Sequence, residues 1–80
     1  MEFFNELKEI IAAELAIDES TVVPGAHLQD DLGADSLGIS NIADAIADKY
    51  KITIVADELV DIANVGELVD MVKAKIAAIS

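Results

Sequence analysis

Apolar residues recur at three- and four-residue intervals along three stretches of the chain and lose that rhythm between them. Phe3, Phe4, Leu7, Ile10, Ile11 and Leu15 form the first stripe, with Glu2, Glu6, Glu9 and Glu14 largely on the other side. This spacing predicts an amphipathic helix running roughly from Met1 to Ala16. The period disappears between Ile17 and Asp35, where Asp18, Ser20, Pro24, Gly25 and Gly33 supply turn chemistry. Val22, Leu28 and Leu32 are the apolar residues expected to pin this loop. A structureless loop of such length is unusual in a compact domain and tends to be functional or to hide a short helix.

A second helix is expected to start at Ser36 or Leu37, with Asp35 as its N-cap and Ile39, Ile42, Ala43, Ile46 and Tyr50 as its buried stripe. Gly38 and Ser40 weaken it, since glycine costs ~1 kcal/mol relative to alanine in a helix interior and less in a frayed first turn. "KITIV", Lys51 to Val55, alternates like a strand, but "STVV" is its only possible partner. Because an isolated two-stranded pair is marginal in water, the segment reads as an extended connection. Asp57 to Ile62 has room for a helical turn or two. Asn64 followed three residues later by Glu67 has capping-box spacing, and Val65, Leu68, Val69, Val72, Ile76 and Ile79 continue the helical period. Lys73 and Lys75 lie towards the end of that helix, where its dipole favours positive charge. The expected fold is all-α: a small bundle of three main helices plus one short helix, with residues 1–80 forming a single domain.

Length agrees with one domain, because 80 residues fall well below the size at which cores divide. Charge narrows the partners. A formal net charge of -11 argues against nucleic acid, which is bound by displacing phosphate counterions with Lys and Arg, and against anionic membrane surfaces. Between Glu9 and Asp48 there is no Lys or Arg at all, a charge that either attracts basic protein partners or simply keeps the surface soluble. No apolar run approaches the ~20 residues of a membrane span. The N-terminus has Glu2 and Glu6 where a signal peptide needs positive charge. The expectation is a monomer in a reducing, cytoplasm-like compartment, without membrane insertion.

The candidate chemistry centres on "DDLGADSLGIS", Asp30 to Ser40, where three carboxylates surround one serine. A serine nucleophile needs a general base within reach, and the chain's one histidine, His27, reads as a solvated loop side chain. Asp30, Asp31 and Asp35 do not have EF-hand spacing, the four glycines fall at the wrong intervals for a phosphate-cradling loop, and the absence of cysteine removes thiolate and Cys-metal chemistry. The residues thus specify neither a catalytic residue nor a dedicated metal site. Taken alone, Asp-Ser at a helix start is a cap.

Over "DDLGADSLG", however, the sequence resembles the phosphopantetheine attachment motif of acyl carrier proteins, in which Asp-Ser-Leu follows Leu-Gly-Ala. The resemblance extends over nearly the whole chain, through "IDESTVVPGAHL", "KYKITI" and "DIANVGELVDMV". It implies an acyl-carrier-protein-like bundle that holds acyl intermediates as thioesters on a 4'-phosphopantetheine arm, in fatty acid or specialised lipid or polyketide-type biosynthesis. By the same resemblance, Ser36 takes the arm from coenzyme A through a phosphopantetheinyl transferase, Asp35 helps place that enzyme's Mg²⁺, and Leu37 is read by partner enzymes. Asp31, Asp35, Leu37, Asn41, Asp44 and Asp48 then form the face for acyl-transferring and chain-elongating enzymes with basic docking patches. Ile42, Ala43, Ile46, Ile54, Leu59, Ile62 and Leu68 are the candidates to line a sheltered acyl pocket, and equally to be plain core.

Some positions depart from the carriers of fatty acid synthesis. Gly38 and Asn41 stand where those proteins usually have acids, and Val55 stands where they commonly have proline. The alternative reading is an unmodified acidic helical adaptor that binds a basic protein partner noncovalently, with Ser36 only a cap.

Overall fold

The computed structural model describes residues 2–79, so the expected start of the first helix at Met1 lies outside the described residues. Four α-helices follow in order: α1 (Glu2–Leu15), α2 (Ser36–Tyr50), α3 (Ala56–Asp61) and α4 (Val65–Ile79). No strand occurs among the described residues, and "KITIV" is a connection into α3 that opens on the left-handed Lys51 and ends on the extended Val55. The long loop does hide a short helix, a single 3-10 turn at Glu19–Thr21.

The ends of α1 and α2 and the starts of α3 and α4 have local reasons. Ala16 takes a left-handed conformation with φ 57°, and the Ile17 N–H returns to the Ala12 carbonyl at 3.1 Å, which stops α1 one residue short of the expected end. Lys51 does the same for α2, with φ 56° and an Ile52 N–H to Ala47 O bond of 3.2 Å. Such backbone suits glycine better, so both positions carry some strain. At the start of α3, Glu58 accepts from the Val55 N–H at 3.1 Å. At the start of α4, Asn64 Oδ1 accepts from the Glu67 N–H at 2.9 Å, while Glu67 reaches back to the Ala63 N–H at 3.0 Å. The capping-box spacing therefore forms its forward bond as expected, and its return bond lands one residue earlier.

One apolar cluster joins all four helices and the loop. Leu7 and Ile11 of α1, Ile39, Ile42 and Ile46 of α2, Leu59 of α3, and Val65, Leu68 and Val72 of α4 are essentially inaccessible to solvent. Val22, Leu28 and Leu32 do pin the loop, each buried in the same cluster. Burying each such side chain contributes about 1.5–3 kcal/mol, and no described polar or charged side chain is buried among them. The radius of gyration, 11.3 Å, is close to the ~12 Å expected of a compact chain this long.

Polar contacts then fasten the helices at their edges. Tyr50 donates its hydroxyl to Glu6 at 2.7 Å, and the Phe3 and Tyr50 rings lie 5.3 Å apart, so the end of α2 is held against the start of α1. Lys75 pairs with Glu58 at 2.9 Å, joining α4 to α3. Lys73 lies 5.8 Å from the centre of the Phe3 ring. The two lysines expected to face the helix dipole are thus engaged with side chains of other helices, and the last turn of α4 has no basic residue.

Candidate functional site

Ser36 is the first residue of α2, and its side chain is exposed. The chain reaches it through a tight sequence of turns. Gly33 has φ 73°, a left-handed conformation that costs glycine little and other residues more. Ala34 is buried and its N–H donates to Leu28 O at 2.9 Å. Asp35 is extended, and its Oδ1 accepts from the Gly38 N–H at 2.8 Å while its carbonyl accepts from the Ile39 N–H at 2.8 Å. Asp35 is therefore the N-cap that its residue type and position predict.

Gly38 has a packing reason. A Cβ there would come within 2.9 Å of Leu15 Cδ2 and 3.4 Å of Asp35 Oδ1. The missing side chain lets the end of α1 close onto the first turn of α2, directly beneath the capped serine. Leu37, by contrast, points outward and is 68% exposed. The hydroxyl of Ser36 thus stands at a capped helix start beside an exposed leucine.

The acids expected to surround it are distributed unevenly. Asp31, Asp35, Asp44 and Asp48 are all exposed, and Asn41 is half-buried. Asp31 also accepts from the His27 N–H at 2.8 Å, and Asp48 lies 3.7 Å from Lys51. Of the seven residues named for the acyl pocket, Ile42, Ala43, Ile46, Ile54, Leu59 and Leu68 are buried and Ile62 is half-buried against them. A groove of about 550 Å³ opens elsewhere, between Phe4 of α1, Pro24 of the loop, and Gly66, Val69, Asp70 and Lys73 of α4. None of the seven lines it.

His27 differs from its expected role. Its imidazole is not merely solvated: Nδ1 accepts from the Gln29 N–H at 3.2 Å and the Asp30 N–H at 3.1 Å. Histidine is not among the usual cap residues, which hid this role. A polar acceptor two and three residues ahead of those amides, with Asp31 four residues on to bond back, was the signal available in the sequence.

Known proteins match the chain over nearly its whole length. Residues 5–72 match the family model described as the phosphopantetheine attachment site. The chain is 36% identical over 77 residues to an acyl carrier protein of Guillardia theta, covering 96% of this chain and 95% of that one. It is 34% identical over 73 residues to an acyl carrier protein of Helicobacter pylori (91% and 94% covered) and 35% over 75 residues to one of Thermotoga maritima (94% and 93% covered). A helical bundle with an exposed hydroxyl at a helix start, matched over nearly all its length, thus belongs to the phosphopantetheine-attachment family as an acyl carrier protein, working through a covalently attached 4'-phosphopantetheine.

Proposed function

We propose that the arm is attached at Ser36 and that the chain is one carrier domain serving other enzymes, with no catalytic residue of its own. The observation that supports this is the exposed Ser36 hydroxyl at the first position of α2, immediately after the capped Asp35. The first N–H groups of an α-helix have no intrahelical acceptor, and they form the positive end of its dipole. A phosphodiester on Ser36 is therefore tolerated even on a chain of net charge -11. The serine needs no base of its own, because a phosphopantetheinyl transferase supplies the activation when it transfers the group from coenzyme A. Asp35 uses Oδ1 in the cap, and its other oxygen is the one to meet the transferase's Mg²⁺.

Leu37 is the apolar contact for the partner enzymes, on a face that also takes in the exposed Asp31, Asp35, Asp44 and Asp48 and the half-buried Asn41. Those partners are acyl-transferring and chain-elongating enzymes with basic docking patches. With uncharged Gly38 and Asn41 in the first half of α2, docking should be weaker and less salt-sensitive than a fully acidic helix would give. A pathway-specific carrier fits this as well as a fatty-acid one. Measuring affinity for a fatty-acid ketosynthase against ionic strength tests the point, and tight binding with steep salt dependence would contradict it. An acyl chain sheltered in the bundle would have to part Ile42, Ala43, Ile46, Ile54, Leu59, Ile62 and Leu68. No described helix is long and apolar enough to cross a membrane, and the proposed setting is a monomer in a cytoplasm-like compartment.

Intact-mass measurement decides the attachment. Incubation with coenzyme A, Mg²⁺ and a broad-specificity transferase should add one phosphopantetheine to the unsubstituted protein and none to Ser36→Ala. If the unsubstituted protein gains nothing, a noncovalent adaptor with Ser36 as a cap takes its place.

A further inference from the structure

A continuous series of hydrogen bonds connects the start of α4 to the loop that presents Ser36. Val65 N–H donates to Ala26 O at 2.9 Å, and Gly66 N–H donates to Pro24 O at 2.8 Å. A Cβ on Gly66 would lie 3.2 Å from Asn64 Oδ1 and 3.3 Å from Pro24 O, a tight fit that glycine avoids. The next residue after Ala26 is His27, and five bonds converge on it. Its carbonyl accepts from Asp31 N–H at 2.9 Å and Leu32 N–H at 3.1 Å. Its Nδ1 accepts from Gln29 N–H and Asp30 N–H, and its own N–H donates to Asp31 Oδ2. Leu28 O then receives Ala34 N–H, and Asp35 caps α2.

We propose that His27 is a positioning residue for Ser36: its imidazole caps the turn 27–32 in the way a serine or aspartate oxygen caps a helix, and so fixes the approach to α2. The inference rests on the reading that Ser36 receives the arm. The turn has a reciprocal form, with Nδ1 taking the forward amides and Asp31 taking the His27 N–H, which is the logic of a capping box. Both forward bonds need Nδ1 without a proton, so the neutral ring carries its proton on Nε2. The charged groups facing the ring are Asp30, with Oδ2 3.8 Å from Nδ1, and Asp31 through the backbone bond. Leu28 and Leu32 bury the turn's apolar side, so loss of the cap loosens the polar side of the loop without opening the core. A transferase that binds the ordered loop then meets a smaller competent fraction, which raises KM and leaves kcat unchanged.

The experiment compares the unsubstituted protein with His27→Ala, His27→Asn and Ser36→Ala. Transfer kinetics with coenzyme A, Mg²⁺ and a broad-specificity transferase are measured together with amide exchange over residues 29–34. His27→Ala should raise KM by roughly two- to fivefold at unchanged kcat, and speed exchange at Gln29 and Asp30 about fivefold. Asparagine places an acceptor oxygen near the position of Nδ1, and His27→Asn should return both to within about twofold of the starting values. Native KM and exchange in His27→Ala, or failure of asparagine to restore them, would overturn the proposal. Imidazole ¹⁵N shifts of the unsubstituted protein give an answer that needs no variant to fold: a proton on Nδ1 overturns the cap, and one on Nε2 supports it. Loading of Ser36→Ala would remove the attachment reading alone, since exchange and ¹⁵N shifts judge the cap separately.

Discussion

The Tyr50 hydroxyl donates to Glu6 Oε1 across 2.7 Å, tying the last residue of α2 to the first turns of α1 over 44 positions of sequence. Burial first, then the hydrogen bond to the Glu6 carboxylate and that group's charge, raise the phenol's pKa well above its ordinary value of 10.0. A folded-state pKa raised above the unfolded one favours the protonated form of the native protein. The contribution is thus complete below pH 10 and is lost as pH rises beyond it. Because the chain has a single tyrosine, phenolate absorbance reports this group alone. Its midpoint should lie above 10 in the folded protein, and Tyr50→Phe should flatten the part of the alkaline stability loss that belongs to it. A midpoint at 10 would contradict the account.

Acid should act on a different contact. The hydrogen bond from Lys75, followed by the one from the Val55 N–H, holds the Glu58 carboxyl below its ordinary value of 4.5. A depressed folded-state pKa stabilises the native protein above about that pH and loses the contribution as pH falls through the folded value. Both side chains are about a third exposed, at 28% for Lys75 and 36% for Glu58, so solvent screening keeps the pair near ~0.2–1 kcal/mol. Lys75→Met should cost that much at pH 7 and nothing once Glu58 is protonated. A double-mutant cycle with Glu58→Gln, which keeps an acceptor for Val55, isolates the pair; a coupling energy of zero at pH 7 is the result that rejects it.

At Gly38 two effects oppose each other. Alanine in the first turn of α2 recovers part of the ~1 kcal/mol that glycine costs a helix. Its Cβ meets Leu15 Cδ2 at 2.9 Å, which is the methyl end of a flexible side chain and can turn aside. Gly38→Ala should therefore fall between no change and about 1 kcal/mol of added stability. Denaturant unfolding measures it, and a loss above ~1 kcal/mol would mean that Leu15 cannot move.

Salt should stabilise the fold. The molecule is 32 Å along its longest axis and carries a net charge of -11. The Debye length is about 30 Å at 0.01 M ionic strength and about 10 Å at 0.1 M. In dilute buffer almost every acid repels every other, whereas in moderate salt only near neighbours do, so Tm should rise with added NaCl and with Mg²⁺. A Tm that stays constant across this range would show that self-repulsion is not a term in the stability.

Local order along this chain was legible in the residues themselves. The stripes of α1, α2 and α4, the caps Asp35 and Asn64, the non-helical connection after Tyr50 and the Asp-Ser-Leu motif involve partners within about four positions, where hydrophobic period and short-range hydrogen bonding decide. Only the tertiary structure decided which helices meet. Tyr50 with Glu6, Lys75 with Glu58, and Leu15 beneath Gly38 join residues far apart in sequence, and nothing local to either partner specifies such a pairing. The same reason moved Lys73 and Lys75 from an expected dipole role into contacts with Phe3 and Glu58: a long cation takes a specific partner when packing brings one within reach. His27 lies between the two cases, since its bonds are local but its atom type is unusual for a cap, and folding of the loop against α4 placed it.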